Sequence, residues 1–333
     1  MKRREFIALV GSAVASPFVA RAQQPAKMKR IALVAPSDEL AASAHPIYDG
    51  VSAPFFDELG RFGFIEGKNL VVGKYSAAGQ PDRFAPLARE VVDTHPDAIY
   101  ALSSFVSFAF KAATTTIPIV CVTSDPVAAG LVSNIARPGG NITGSSVDTG
   151  AEIWGKRIGL LKEALPKLSN IFIIAERTAR WEGPYGAAVR QAATAASITL
   201  NAAFLDGKLD EAAYQRVFAA FEQDRPNALL VSDYGGHNFG TIGELAARHR
   251  LPAMYPYRFI VETGGLMSYG IDLDEVGRSN GYQMAQVLNG ANPGDIPFIQ
   301  ITRLQLTLNL KTAKSLGIEF PATLLGSADF IIE

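Results

Sequence analysis

Hydroxyl and carboxylate side chains stand at two points where an apolar run of the chain ends. Ser103 and Ser104 follow one such run, and Ser124 and Asp125 follow the next. If both runs are neighbouring parallel strands, their carboxyl ends meet at one edge of the sheet, where ligands of such sheets bind. The free N–H groups at the start of a following helix suit a carboxylate. These residues predict a carboxylate site, and Asp125 adds a partner for an ammonium group.

Each of these side chains also has a structural interpretation. Ser103 or Ser104 would cap the following helix by accepting hydrogen bonds from its first turn. The two roles are compatible, because a cap and a ligand use the same N–H groups. Asp125 precedes Pro126, a position where aspartate commonly forms a turn. By the same geometry, Ser37 follows an earlier apolar run and is predicted on the rim of the same edge.

Aromatic side chains follow other apolar runs in the second half of the chain. Trp181, Tyr234 and Tyr257 each come shortly after such a run, and Asp233 precedes Tyr234. Rings on these loops would stack on an apolar or ring-bearing ligand and exclude water, since binding residues collect on loops. The alternative is that one or two of these rings pack the interior.

Sequence motifs of catalysis and metal binding are missing. The chain has no G-x-S-x-G elbow and no P-loop. Its four histidines fall in different segments without ligand spacing: His45, His95, His237 and His249. The single cysteine, Cys121, lies in an apolar run and is predicted to be buried and inert. We expect no catalytic residue, metal or cofactor, although His237 is close enough to the predicted cleft to touch a ligand.

The segments that must position these residues alternate between strand and helix. Apolar runs typical of buried parallel strands occupy 30–35, 69–75, 97–101 and 117–122. Helical spacing occupies 47–61, 84–94 and 104–114 between them. The alternation restarts after residue 144, with strands predicted at 170–175, 198–204, 228–232 and 252–255. This order predicts parallel sheets with helices on both faces.

Glycine-rich breaks divide this alternation. The segment Arg137–Gly144 carries three glycines and a proline in eight residues, which favours a turn or linker. Gly264 and Gly265 mark a second break. The chain after residue 22 is about 310 residues long, which is too many for one average core. We therefore expect an α/β protein of two doubly wound parallel-sheet lobes joined by several crossings.

The N-terminal residues have the pattern of an export signal. A basic start is followed by a short apolar run and by the A-x-A site Ala20–Ala22. Residues 1–22 are therefore predicted to be a signal peptide cleaved near Ala22, which places the protein in the periplasm. Arg3 and Arg4 resemble a twin-arginine signal, and an ordinary signal that happens to carry two arginines is the alternative.

The composition is that of an ordinary globular protein, with 48% hydrophobic and 19% charged residues. A formal net charge of −1 gives no electrostatic reason to expect nucleic acid or an anionic membrane as a partner.

Several segments stand in a distinctive order along the whole chain. They are Arg3–Ile7, Ala20–Gln24, Thr116–Val120, Asp125–Val127, Arg137–Gly144, Gly264–Gly270 and Asn309–Lys314. Their order and spacing resemble the family of ABC transporter substrate-binding proteins typified by the tryptophan- and tyrosine-binding importer subunits. The resemblance implies the type I periplasmic binding protein fold, in which two clamp-like lobes close on a ligand in the cleft.

That resemblance also implies the domain boundaries and the partners. Three crossings are expected near Thr143, near Gly264 and near 293–297. They would give one lobe of 28–142 plus 265–293 and another of 143–264 plus 297–333. Amino-acid binders of this fold hold their ligand with strand-end hydroxyls, which supports the predicted carboxylate site.

The resemblance favours the solute-binding subunit of an ABC importer. Such a subunit would bind an amino acid, aromatic or branched, act as a monomer, and deliver its ligand to a permease and its ATPase. A periplasmic sensor that presents its ligand to a membrane receptor is the first alternative. An enzyme, active or decayed, on an α/β scaffold is the second.

Overall fold

The computed structural model describes residues 28–38, 46–176, 179–205, 209–234 and 237–333. The predicted signal peptide and His45 lie outside the described residues. The strands are β1 (Lys29–Ala35), β2 (Leu70–Ser76), β3 (Ala98–Ala101), β4 (Ile119–Thr123), β5 (Ile142–Ser146), β6 (Asn170–Glu176), β7 (Thr199–Leu205), β8 (Ala228–Val231), β9 (Ala253–Tyr255), β10 (Met267–Ile271), β11 (Ile299–Gln300), β12 (Leu304–Asn309) and β13 (Phe330–Ile332). The helices are α1 (Pro46–Arg61), α2 (Phe84–Asp93), α3 (Ser104–Ala113), α4 (Glu152–Ala164), α5 (Ala179–Glu182), α6 (Pro184–Ala195), α7 (Glu211–Asp224), α8 (Phe239–Arg248), α9 (Arg258–Glu262), α10 (Leu273–Leu288), α11 (Leu310–Leu316) and α12 (Ala322–Ser327).

The strands form two separate sheets, and each sheet with its helices is called a lobe below. The first sheet has the order β11-β5-β4-β3-β1-β2, and its neighbours pair in parallel. The second has the order β13-β12-β10-β9-β8-β6-β7 and is parallel except where β10 meets β12. The predicted α/β class with two lobes of mainly parallel sheet is confirmed.

Both faces of each sheet are covered, as continuous apolar strands require. In β1, Leu33 packs on the face that carries Phe55 of α1, whereas Val34 packs on the opposite face with Phe110 of α3. Successive side chains of a strand point to opposite faces, so an unbroken apolar run supplies both cores. In β6 of the second sheet, Ile173 likewise packs into the core on one face, and its two neighbours in the strand pack into the core on the other face.

The glycine-rich segment Arg137–Gly144 contains the start of a buried strand rather than only a linker. Its last residues belong to β5, which pairs with β4 so that Gly144 lies opposite Cys121. Gly144 has φ +150°, and a Cβ there would lie 1.9 Å from the carbonyl oxygen of Cys121. The glycine therefore allows two backbones to pack closely, and the prediction of a linker at this point was wrong.

The chain crosses between the lobes three times, each time later than expected. It leaves the first sheet after Ser146 rather than near Thr143, because β5 still pairs in that sheet. It returns after Ile271 rather than near Gly264, because β10 pairs with β9. The third crossing follows Gln300, beyond the predicted loop 293–297.

The second crossing also changes the expected boundary. Residues 265–293 were assigned to the first lobe, yet β10 lies in the second sheet, and only the following helix α10 packs against α1 of the first lobe. Hydrophobic periodicity identifies a strand but does not show which sheet it joins. At this junction Ile271, Val276 and Ile301 form a small apolar cluster, and Asp272 N–H donates to the carbonyl of Arg303 at 3.0 Å.

Candidate ligand-binding site

The start of α3 forms one side of the candidate site. Ser103 has extended backbone, and its Oγ accepts a hydrogen bond from the N–H of Val106 at 3.2 Å, so it is the N-cap of the helix. The first turn of α3 contains no acidic residue. The partial positive charge of the helix N-terminus is therefore not neutralised within its own first turn, which favours an anion.

Ser104 and Ser124 come together at the end of β3 and β4. Ser104 Oγ lies 3.0 Å from Thr123 Oγ1 and 3.5 Å from Ser124 Oγ, and it accepts from Ser124 N–H at 3.3 Å. The contact arises because β3 and β4 are parallel neighbours, with Ala101 opposite Cys121. Thr123 was missed from sequence, although its position as the last residue of β4 pointed to it.

Asp125 occupies a turn beside this hydroxyl cluster. Its Oδ1 accepts from the N–H groups of Val127 and Ala128 at 2.9 and 3.0 Å. This is the turn-forming role that was the alternative interpretation. The same residue lines a cavity of about 270 Å³ together with Ser146 and Asp148, so a turn role and a place on the rim of a cavity coexist.

Ser37 follows β1 at the same edge of the first sheet. Its side chain is 7% exposed, and among the described residues its Oγ has no hydrogen-bond partner. A buried hydroxyl without a partner costs free energy. Its position after β1, the neighbour of β3, is consistent with the predicted rim.

The second lobe presents Asp233, Tyr234 and Tyr257 at the ends of β8 and β9. These strands are parallel neighbours, and the hydroxyl of Tyr257 donates to the carbonyl of Asp233 at 3.3 Å. Tyr257 is half-buried, and Tyr234 is buried. The structure thus brings these three predicted residues into one group.

Trp181 does not join that group. Its ring is 6% exposed and packs edge-on against Phe204 at 5.4 Å, with the guanidinium of Arg190 5.3 Å from its centroid. It lies in the apolar core between the second sheet and its helices. Trp181 therefore fits the alternative interpretation, in which the ring packs the interior. Among the described residues, it contacts none of the other candidate site residues.

One contact between the lobes joins two aromatic rings. Phe105, the residue after Ser104, lies edge-on to Tyr234 with their ring centroids 5.7 Å apart. Phe105 is also stacked on Phe84 of α2 at 6.0 Å. Sequence reasoning missed both phenylalanines. The signal available was a bulky apolar residue on the first turn of α3, directly beside a candidate ligand serine.

His237 packs against the ring of Tyr234 in the second lobe. Its Nε2 lies 2.8 Å from the Oγ of Ser232, and its ring meets Tyr234 edge-on at 5.4 Å. The ring is buried, so His237 positions its neighbours instead of projecting into open space.

The Cys121 thiol is buried among apolar side chains. Burial raises the pKa of the Cys121 thiol to about 12, and a hydrogen bond with Ser107 offsets a smaller part of that shift. The predicted buried thiol is confirmed. Within the described ranges, no three His, Cys, Asp or Glu side chains come together as a metal site would require. No described helix has the length and apolarity to cross a membrane.

Comparison with known proteins identifies relatives of this chain. Residues 40–332 match the family model described as ABC transporter substrate binding protein. A curated relative, the tyrosine-binding protein of Clostridioides difficile, is 25% identical over 286 residues, which are 83% of this chain and 79% of the relative.

Two solved structures share the fold. A conserved domain protein of Vibrio cholerae is 26% identical, with a TM-score of 0.74, and the match covers 92% of this chain and all of that one. An ABC domain from Streptococcus pneumonia, solved in complex with L-Trp, is 22% identical with a TM-score of 0.75 and the same coverage.

Proposed function

We propose that this chain, which belongs to the family of ABC transporter substrate-binding proteins, is the periplasmic solute-binding subunit of an ABC importer. Its ligand is an amino acid, aromatic or branched, held by its carboxylate in the cleft between the lobes. The lobes close on this ligand by bending at the three crossings. The protein then delivers its ligand, as a monomer, to a membrane permease driven by an ATPase.

The observation that carries this proposal is the hydroxyl cluster at the N-terminus of α3. The Oγ of Ser104 lies within hydrogen-bond distance of the hydroxyls of both Thr123 and Ser124, beside a helix end whose first turn has no acidic residue. Hydroxyl donors next to a positive helix terminus match the needs of a carboxylate. Ser37 lies at the same edge, and its Oγ, which has no hydrogen-bond partner within the described part of the chain, supports the same ligand chemistry.

The rest of the ligand is proposed to be apolar. Tyr234 and Tyr257 supply rings on the second-lobe side, and Asp125 is the candidate partner for an ammonium group. The C. difficile relative is described as tyrosine-binding, and the S. pneumonia structure contains L-Trp. Those ligands belong to the relatives, and they support an amino acid as the ligand class here.

The predicted signal peptide of residues 1–22 supports the periplasmic location. Cleavage after Ala22 would make Gln23 the first residue of the mature protein, which N-terminal sequencing of the secreted protein checks. Replacement of Arg3 and Arg4 by lysine should block export if the twin-arginine route is used. Unchanged export would assign the leader to the general secretory route.

A thermal-shift screen tests the proposed ligand class. A ligand that binds only the folded protein raises its apparent melting temperature. The panel contains L-amino acids, aromatic acids, dicarboxylates, sugars and simple cations. We expect at least one L-amino acid to raise the melting temperature with a concentration dependence that saturates. A shift with sugars or cations and none with amino acids would contradict the proposal.

A further inference from the structure

Phe105 combines three properties that point to contact with a ligand. Its side chain is 45% exposed although it is a large apolar ring. It follows Ser104 directly on the first turn of α3. It also reaches across to the second lobe, where it meets Tyr234. Phe105 is thus a partly exposed ring that follows a polar cluster and lies at a point where the two lobes touch.

Both sides of the Phe105–Tyr234 contact are held in place. On the first lobe, Phe84 stacks on Phe105 with an interplanar angle of 11°. On the second lobe, His237 meets Tyr234 at an angle of 88° while its Nε2 lies 2.8 Å from Ser232 Oγ. Each of the two rings therefore packs against another ring of its own lobe.

The position of the hydroxyl cluster fixes where a ligand side chain would go. A carboxylate held at Ser104 and Ser124 leaves the remainder of the ligand beside the adjacent Phe105. Tyr234 of the other lobe bounds the same space, with its ring centroid 5.7 Å from that of Phe105. A flat ring has favourable edge-on or offset geometries against both partners, whereas an aliphatic chain gains only apolar contact.

We propose that Phe105 is a specificity-determining residue that gives the cleft its preference for amino acids with a ring in the side chain. This inference rests on the proposed function, because it needs an amino acid at the serine cluster. It adds a first-lobe residue to a ring-binding surface otherwise built from second-lobe tyrosines.

The test is calorimetric titration of L-Trp, L-Tyr, L-Phe, L-Leu and L-Val into the mature protein and into Phe105→Leu. Leucine keeps an apolar side chain and removes the ring. The expected result is a loss of about two- to tenfold in affinity for the ring-bearing amino acids, the value of one aromatic pairing. Affinities for L-Leu and L-Val should change by less than about twofold.

Phe108→Leu is the matched control. Phe108 lies one turn further along α3 and is 39% exposed, and no described ring lies against it. This variant should bind all five amino acids like the parent. Thermal unfolding of each variant shows that the fold is retained.

The outcomes separate this inference from the proposed function. If the parent binds ring-bearing amino acids and Phe105→Leu binds them equally well, Phe105 does not set specificity. If Phe105→Leu weakens all five equally, or the parent prefers L-Leu and L-Val, the inference is also wrong while the proposed function stands. If no amino acid binds the parent, the proposed function fails and takes this inference with it.

Discussion

Phe105 of the first lobe and Tyr234 of the second lie edge-on, with ring centroids 5.7 Å apart and an interplanar angle of 82°. The first residue follows β3 and the second follows β8, so the contact brings the carboxyl ends of the two sheets face to face. Ser104, whose hydroxyl lies 3.5 Å from that of Ser124, directly precedes Phe105 in the chain. A ligand held there would be enclosed by both lobes.

Ser104→Ala should weaken binding of the amino acid ligand by about tenfold to a hundredfold. The reason is the loss of a hydrogen bond to a charged group, worth about 1.5–3 kcal/mol. Binding should persist, because the N–H groups at the start of α3 remain. Titration calorimetry measures the change, and Ser133→Ala, at an exposed loop serine, is the control that should leave affinity unchanged.

Ser103 allows stability and charge to be separated. Ser103→Ala removes the N-cap of α3 and should lower the free energy of unfolding by about 0.5–2 kcal/mol. Ser103→Asp keeps a good cap but places a negative charge at the proposed carboxylate site. It should fold about as stably as the parent and bind ligand far more weakly. Urea unfolding measures the stability of each variant, and calorimetry measures its affinity for the ligand. Full affinity in Ser103→Asp would show that the carboxylate of the ligand binds elsewhere.

Gly144→Ala should destabilise the first lobe strongly. A Cβ at this position would lie 1.9 Å from the carbonyl oxygen of Cys121, and the residue has φ +150°. Overpacking costs about 1–3 kcal/mol, and backbone strain adds to it. Gly155→Ala in α4 is the matched control, since its added methyl would meet no atom within 4 Å other than its chain neighbours and the backbone of its own helix. Equal melting temperatures for the two variants would contradict the close approach of β4 and β5.

Cys121 should titrate and react only when the protein opens. Burial raises the pKa of its thiol to about 12, against about 8.5 in an unfolded chain. The folded state therefore keeps the proton that the unfolded state releases. The stabilisation is present below about pH 8.5 and is lost as pH rises toward 12. Between about pH 8.5 and 10, unfolding free energy should fall more steeply in the parent than in Cys121→Ala.

A thiol reagent gives the companion measurement. Native protein near neutral pH should react at a rate limited by opening of the fold, and unfolded protein should react quickly. Fast labelling of the native protein would show that Cys121 is accessible.

Local sequence patterns predicted the elements better than the contacts between lobes. The apolar run 30–35 predicted β1, and the serines after β3 and β4 were expected to converge because parallel strands end at one edge. Gly144 misled the prediction of a linker, because a glycine needed for close packing looks the same in sequence as one needed for flexibility. The Phe105–Tyr234 contact could not be predicted, since it depends on how two separately folded sheets are oriented by the crossings.

The burial of Trp181 illustrates the same limit. Its position after β6 favoured a loop facing the ligand, as for Tyr234 after β8. The local path of the chain instead turns its ring into the core, against Phe204. Sequence places a residue at the end of a strand, but the direction of its side chain depends on the tertiary packing of the loop.

The most direct test of the carboxylate site compares one ligand with and without that group. The amino acid that gives the largest thermal shift is titrated by calorimetry into the mature protein, and the amine formed by its decarboxylation is titrated in the same way. A carboxylate held by charge-assisted hydrogen bonds at Ser104 and Ser124 predicts that the amine binds at least about tenfold more weakly. Equal affinities for the amino acid and its amine would show that the cluster at the start of α3 does not hold the ligand.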